Sequence, residues 1–179
     1  MIVLLVGCLA PNPVTLAAEP PTLMSPQERY TSWLATKAPG ATGEESAALA
    51  MGGFQFFSVK TERGKRHEAA VSPLTLVTKD GSGDWATFLR AGTPDQVARA
   101  VAWLHGTASL LTPGSPTVSS LDAKKPGVAA RVTAPAVTGA GTQATLDAWY
   151  LFQPGSQVSH LVIEGRPDGG TWSWTPLTP

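Results

Sequence analysis

The chain has 179 residues, 42% of them hydrophobic, and 13 Lys plus Arg balance 13 Asp plus Glu, so the formal net charge is zero. That balance removes the electrostatic footprint of a nucleic-acid binder, and no nucleic-acid partner is expected. The single cysteine, Cys8, excludes an intramolecular disulfide, and the length fits one domain with a mature part of about 160 residues, enough to bury a core.

Met1 to Ala10 is an apolar run, and within it Leu5-Val6-Gly7-Cys8 resembles the lipobox of bacterial lipoproteins. In that family the leader is cut just before the cysteine, which then carries the lipid. The resemblance implies a signal peptide over 1–7, lipidation of Cys8, a Pro-rich tether over 8–24 and a globular domain over 25–179. It also implies a bacterial cell envelope location, lipid-anchored and facing the periplasm or exterior. No Lys or Arg precedes the apolar run, which is shorter than an ordinary leader core, so the start of the leader is expected upstream of Met1. Two alternatives stand beside this: a buried apolar strand, or a leader cut after Ala17 or Ala18 that leaves a secreted protein. No other segment approaches the roughly 20 apolar residues of a spanning helix.

Ser25-Pro26-Gln27-Glu28 is a helix start, with Ser25 as N-cap, Pro26 at the first helical position and Glu28 closing a capping box. Tyr30, Trp33 and Leu34 form its apolar stripe, and Pro39-Gly40 ends it. Glu44 to Met51 is expected to add a helical turn or two. Phe54 to Val59 reads as a strand, Glu62-Arg63-Gly64-Lys65 as a reversal, and Glu68 to Thr78 as a second strand that Pro73 confines to an edge or bulge. Lys79 to Asp84 is a further turn leading into a strand over Trp85 to Leu89.

Thr93-Pro94-Asp95-Gln96 repeats the capping-box pattern ahead of Val97, Ala100, Val101 and Leu104, and Gly106 stops the helix. Thr112 to Pro116 and Pro135 to Gly141 are expected to be loops, with weak strands over Thr117 to Leu121 and Val128 to Thr133. The last third is an antiparallel meander of three runs, 145–152, 158–164 and 171–174, separated by Gln153-Pro154-Gly155-Ser156 and by Arg166-Pro167-Asp168-Gly169-Gly170. A turn on Pro154-Gly155 sets Trp149 opposite His160 and Asp147 opposite Val162. Leu146, Ala148, Tyr150 and Phe152 then share a core face with Leu161 and Ile163. The other face, with Trp149, Leu151, Val158, His160 and Val162, is apolar enough to need a cover. The fold expected is α+β: a meander-rich antiparallel sheet of about six to eight strands, with the Thr93 helix and the N-terminal helix packed on one face.

The three histidines, His67, His105 and His160, lie at no metal-binding spacing, so neither metal nor cofactor is expected. Asp80-Gly81-Ser82-Gly83-Asp84 begins like a calcium loop but fails at Trp85 and Ala91, where Gly and Glu are required. No Gly-x-Ser-x-Gly elbow and no phosphate-cradling glycine motif is present. Asp147 and His160 on one strand face could form an oriented imidazole for acid/base work, though packing of His160 against Trp149 is the simpler reading. Lys65 and Arg66, with Lys60, Arg63 and His67, form a basic cluster at a hairpin tip suited to an acidic partner or to lipid headgroups. Trp172 and Trp174 alternate onto one face and could line an aromatic groove or lid the core. The function expected is a non-enzymatic binding or assembly module whose partner is an envelope protein or a cell-wall component. The alternatives are a cell-wall-directed hydrolase using Asp147 and His160, or an inhibitor or immunity-type protein acting through the basic hairpin.

Overall fold

A computed structural model of the chain describes residues 23–45, 49, 51–106, 108–153 and 155–178. The leader, Cys8, nearly all of the tether, and Pro154 of the expected turn lie outside the described residues. The class is α+β, as expected, with the strands divided between two antiparallel sheets.

The first sheet has the order β1 (Glu44–Glu45), β2 (Gln55–Lys60), β3 (Arg66–Val71), β4 (Leu76–Thr78). Helix α1 (Pro26–Lys37) precedes it and starts with the full Ser25/Glu28 capping box. Adjacent residues on β2 point to opposite faces, so Phe57 packs outward with Ala69 and Val71 against Tyr30 and Leu34 of α1. Phe56 and Ala70 point inward. Tyr30 stacks on Phe57 at 4.8 Å, and its hydroxyl donates to the His67 carbonyl at 3.0 Å, which secures α1 along β3.

The second sheet has the order β5 (Ala108–Leu111), β7 (Ala144–Phe152), β8 (Gln157–Arg166), β9 (Gly169–Pro176), and β6 (Ala136–Thr138) also pairs with β7. The meander has the expected register, Trp149 opposite His160 and Asp147 opposite Val162. Its inner face, with Leu146, Ala148, Tyr150, Leu161 and Ile163, packs on α2 (Trp85–Leu89) and α3 (Pro94–His105) in a central core that also takes Phe56 and Ala70 of the first sheet. Helix α3 is thus an inner layer touching both sheets: Trp103 meets Phe56 edge-on at 5.4 Å, and the Tyr150 hydroxyl donates to the Ala98 carbonyl at 2.9 Å. Leu111, Leu151 and Val158 on the outer face are covered by Val118 of α4 (Pro116–Lys124) and Val128 of α5 (Val128–Arg131). The expected cover is therefore helical.

Several expectations are corrected. Among the described residues the strands number nine, in two sheets, and α1 and α3 lie on opposite faces of the first sheet instead of sharing one. Trp85 to Leu89 is helical because the Asp84 carboxylate accepts from the Thr87 amide at 2.9 Å, and the buried residues follow a helical i, i+3, i+4 spacing. Residues 117–121 and 128–131 are helical as well; Ser115 caps α4 with Pro116 at its first turn. The run Glu68 to Thr78 is broken by a turn over Ser72 to Thr75 that contains Pro73, and Arg29 donates to the Pro73 carbonyl at 2.6 Å. Glu44–Glu45 is a strand, Met51 bridges Phe54, and 46–48 and 50 lie outside the described residues. Ala136–Thr138 is a strand inside an expected loop, and Gly169 and Gly170 open β9.

Candidate functional site

Asp147 and Trp149 of β7 and His160 of β8 share the outer face of the second sheet, because directly opposed residues point to the same side. Asp147 sits diagonal to His160, and the imidazole Nε2 lies 2.7 Å from Asp147 Oδ1. Its ring stacks on the Trp149 indole, with centroids 4.8 Å apart and planes at 28°. The stack and the carboxylate together fix both the plane and the edge of the imidazole. The site is open: side-chain exposure is 27% for His160 and 45% for Asp147. Among the described residues no hydroxyl hydrogen-bonds the His160 ring, so the pair has an orienting carboxylate but no paired nucleophile.

Register extends this face across the sheet. Thr145 opposes Glu164, which opposes Thr171; Val162 opposes Ser173; and His160 opposes Thr175. The result is a surface of hydroxyls around the Trp149–His160 stack, with one further carboxylate, Glu164, paired to Arg166 at 3.8 Å. Trp149 packs at the margin of the apolar patch under α4 and α5, so it marks where the covered part of the face ends.

Trp172 and Trp174 fall on the inner face, opposite Ile163 and Leu161. Trp174 meets Phe152 at 4.4 Å and Tyr150 at 5.8 Å, and Trp172 meets Trp85 at 5.8 Å. Both present their rings edge-on to His105, each at 5.5 Å. They roof the central core. Burial between them, with Lys79 adding to it, pushes the His105 imidazole down to about 4.

Lys65 ends the β2–β3 turn and Arg66 opens β3, and both line a cavity of about 200 Å³ shared with Trp33, Lys37, His67, Glu68, Thr78, Lys79 and Asp80. Glu68 is buried and pairs with Arg66 at 3.1 Å and Lys79 at 3.9 Å. Burial pushes its carboxyl up while the two cations oppose that. Burial would also raise Asp80, but hydrogen bonds from Thr78 and Ser82 outweigh it and hold that carboxyl below the usual range. The His67 imidazole is held down by burial and then by Lys65, Lys79 and Lys37. Sequence reasoning found Lys65 and Arg66. It missed Trp33, Lys37 and Lys79, which arrive from α1 and from the turn after β4 and carry no local signal of convergence.

Among the described residues no cluster of His, Cys, Asp and Glu could hold a metal ion, and no helix is long and apolar enough to cross a membrane. Comparison with protein-family models, with curated proteins and with solved structures gave no match to this chain.

Proposed function

We propose that this chain is a non-enzymatic binding or assembly module of the bacterial envelope. In this reading it is held to a membrane by a lipid on Cys8 and engages an envelope protein or a cell-wall component through the outer face of its second sheet. The observation that carries the reading is the Trp149–His160 stack, locked by Asp147 and set on paired strands in an open, hydroxyl-rich surface. A rigid aromatic platform ringed by hydrogen-bonding groups suits recognition, since little side-chain entropy is lost on contact. Catalysis favours a concave, water-excluding site, whereas the side chains of this pair are open to solvent.

The test is cross-linking of the anchored protein in whole cells, with capture and mass spectrometry, comparing the native chain with a Ser173→Glu, Val162→Glu variant. One dominant partner that the variant fails to capture supports the reading; equal capture by both removes this face from the interface. The 2.7 Å Asp147–His160 bond favours a second reading, a cell-wall hydrolase with His160 as general base. Under it, His160→Ala abolishes turnover of cell-wall material with stability nearly unchanged, whereas under the binding reading the purified chain shows no turnover to lose.

A further inference from the structure

The cavity between α1 and the β3–β4 hairpin gathers four cations, Lys37, Lys65, Arg66 and Lys79, from three separate segments of a chain with no net charge. Glu68 and Asp80 offset two of them, and the neutral His67 leaves an excess of two positive charges. Glu68 holds Arg66 and Lys79 in place. Lys37 and Lys65 form no ion pair among the described residues. Their charge is felt inside the cavity all the same, because Lys37 and Lys65 both disfavour protonation of His67. Four cations thus converge on one recess that only two carboxylates neutralise, which makes it a place of positive potential where an anion is favoured.

We propose that this cavity binds a phosphate monoester group. Its charge of about −1.5 to −2 matches the excess of the lining. Its three terminal oxygens suit ammonium groups arriving from several directions, which act as point charges and do not demand the planar geometry of a guanidinium fork. The volume of about 200 Å³ leaves room beyond the phosphorus and its oxygens, and Trp33, edge-on to His67 at 6.2 Å, supplies an apolar wall for whatever the phosphate is attached to. The site lies on the first sheet and is read by His67, while the outer-face reading concerns the second sheet and His160, so either can fail alone.

The experiment follows the ring resonances of His67 and His160 by NMR while the full chain is titrated with inorganic phosphate, against sodium chloride of matched ionic strength. Phosphate is expected to saturate a shift of His67 with a Kd below about 1 mM. It should also move His67 titration to higher pH, because a neighbouring anion stabilises the imidazolium, and leave His160 unmoved. Lys37→Ala combined with Lys65→Ala, both exposed positions, should weaken the affinity about tenfold or more. Identical His67 titrations in the two salts overturn the proposal, as does unchanged affinity in a double variant that keeps native spectral dispersion. Sedimentation of a Cys8→Ser chain with vesicles containing phosphatidic acid, and not with phosphatidylcholine alone, would identify the group as a lipid headgroup. A retained response to inorganic phosphate without sedimentation would identify it as part of a soluble molecule; both results support the proposal.

Discussion

At His105, enclosure by Trp172 and Trp174 lowers the imidazole from an ordinary 6.5 to about 4, so the folded protein holds this ring neutral where the unfolded chain would protonate it. Between those values the unfolded state binds more protons, and stability falls as the pH falls. The contribution is fully present above about 6.5 and is lost progressively down to about 4, and is on the order of 3 kcal/mol. His105→Phe keeps an aromatic ring between the two tryptophans and removes the titration. Urea midpoints measured across that window should drop for the native chain and drop less for the variant; parallel curves would show that His105 carries none of the acid sensitivity. The Asp147–His160 pair was legible in the sequence because two long alternating runs are joined by a short connection, whose length alone fixes which residues face one another from Phe152 opposite Gln157 inward. The basic cavity was legible only in part, since Lys65 and Arg66 are neighbours whereas Lys37 and Lys79 reach it through tertiary packing.

Helix α2 and the β8–β9 hairpin illustrate how an element can be misread locally and make sense globally. Gly169 and Gly170 look like turn residues, yet the hairpin closes at Arg166 opposite Gly169, and Gly170 pairs with Gly165 inside the ladder. These two glycines are required by a close approach: a Cβ on Gly170 would lie 2.6 Å from Trp85 Cγ, and one on Gly165 would lie 2.8 Å from the Trp85 backbone. The bare strands form a slot for Trp85, which is fully buried. Gly170→Ala should therefore cost about 1–3 kcal/mol by overpacking. Thr171→Ala, on the exposed side of the same strand, should stay within about 0.5 kcal/mol. Urea unfolding followed by Trp fluorescence checks both, and equal, small effects would mean that the slot has slack. Helices α1 and α3 were readable from Ser-Pro and Thr-Pro capping signatures, and Ser115-Pro116 is a third instance of the same signal. It was obscured by Pro113-Gly114, which reads as loop. Helix α2 was not readable, because over five residues an apolar run fits a strand as well as a helix.

Across the whole molecule, α3 is the layer both sheets share, which predicts one cooperative unit and not two. Val101 of α3 is fully buried in the central core, and Val101→Ala should destabilise by about 1–2 kcal/mol. Hydrogen exchange should then speed up by the same factor in the slowest amides of β2–β3 and of β7–β8. A loss of protection confined to one sheet would indicate that the sheets open separately. The α+β class and the antiparallel hairpins were visible in alternation and turn chemistry, which are local. The division into two sheets was not, because alternation marks which residues face inward without marking which inner layer they face.

The slot for Trp85 also bears on the order in which a chain made from its N-terminus can mature. Trp85 is complete early, but the glycines that receive it come at 165 and 170, and the Gly170 amide donates to the Gly81 carbonyl only when β9 is in place. Until the final hairpin emerges, the largest fully buried side chain remains uncovered beside Phe88, an apolar surface suited to a holding chaperone. Arrival of the last strand then covers the core, caps the sheet edge and retires that surface in a single event.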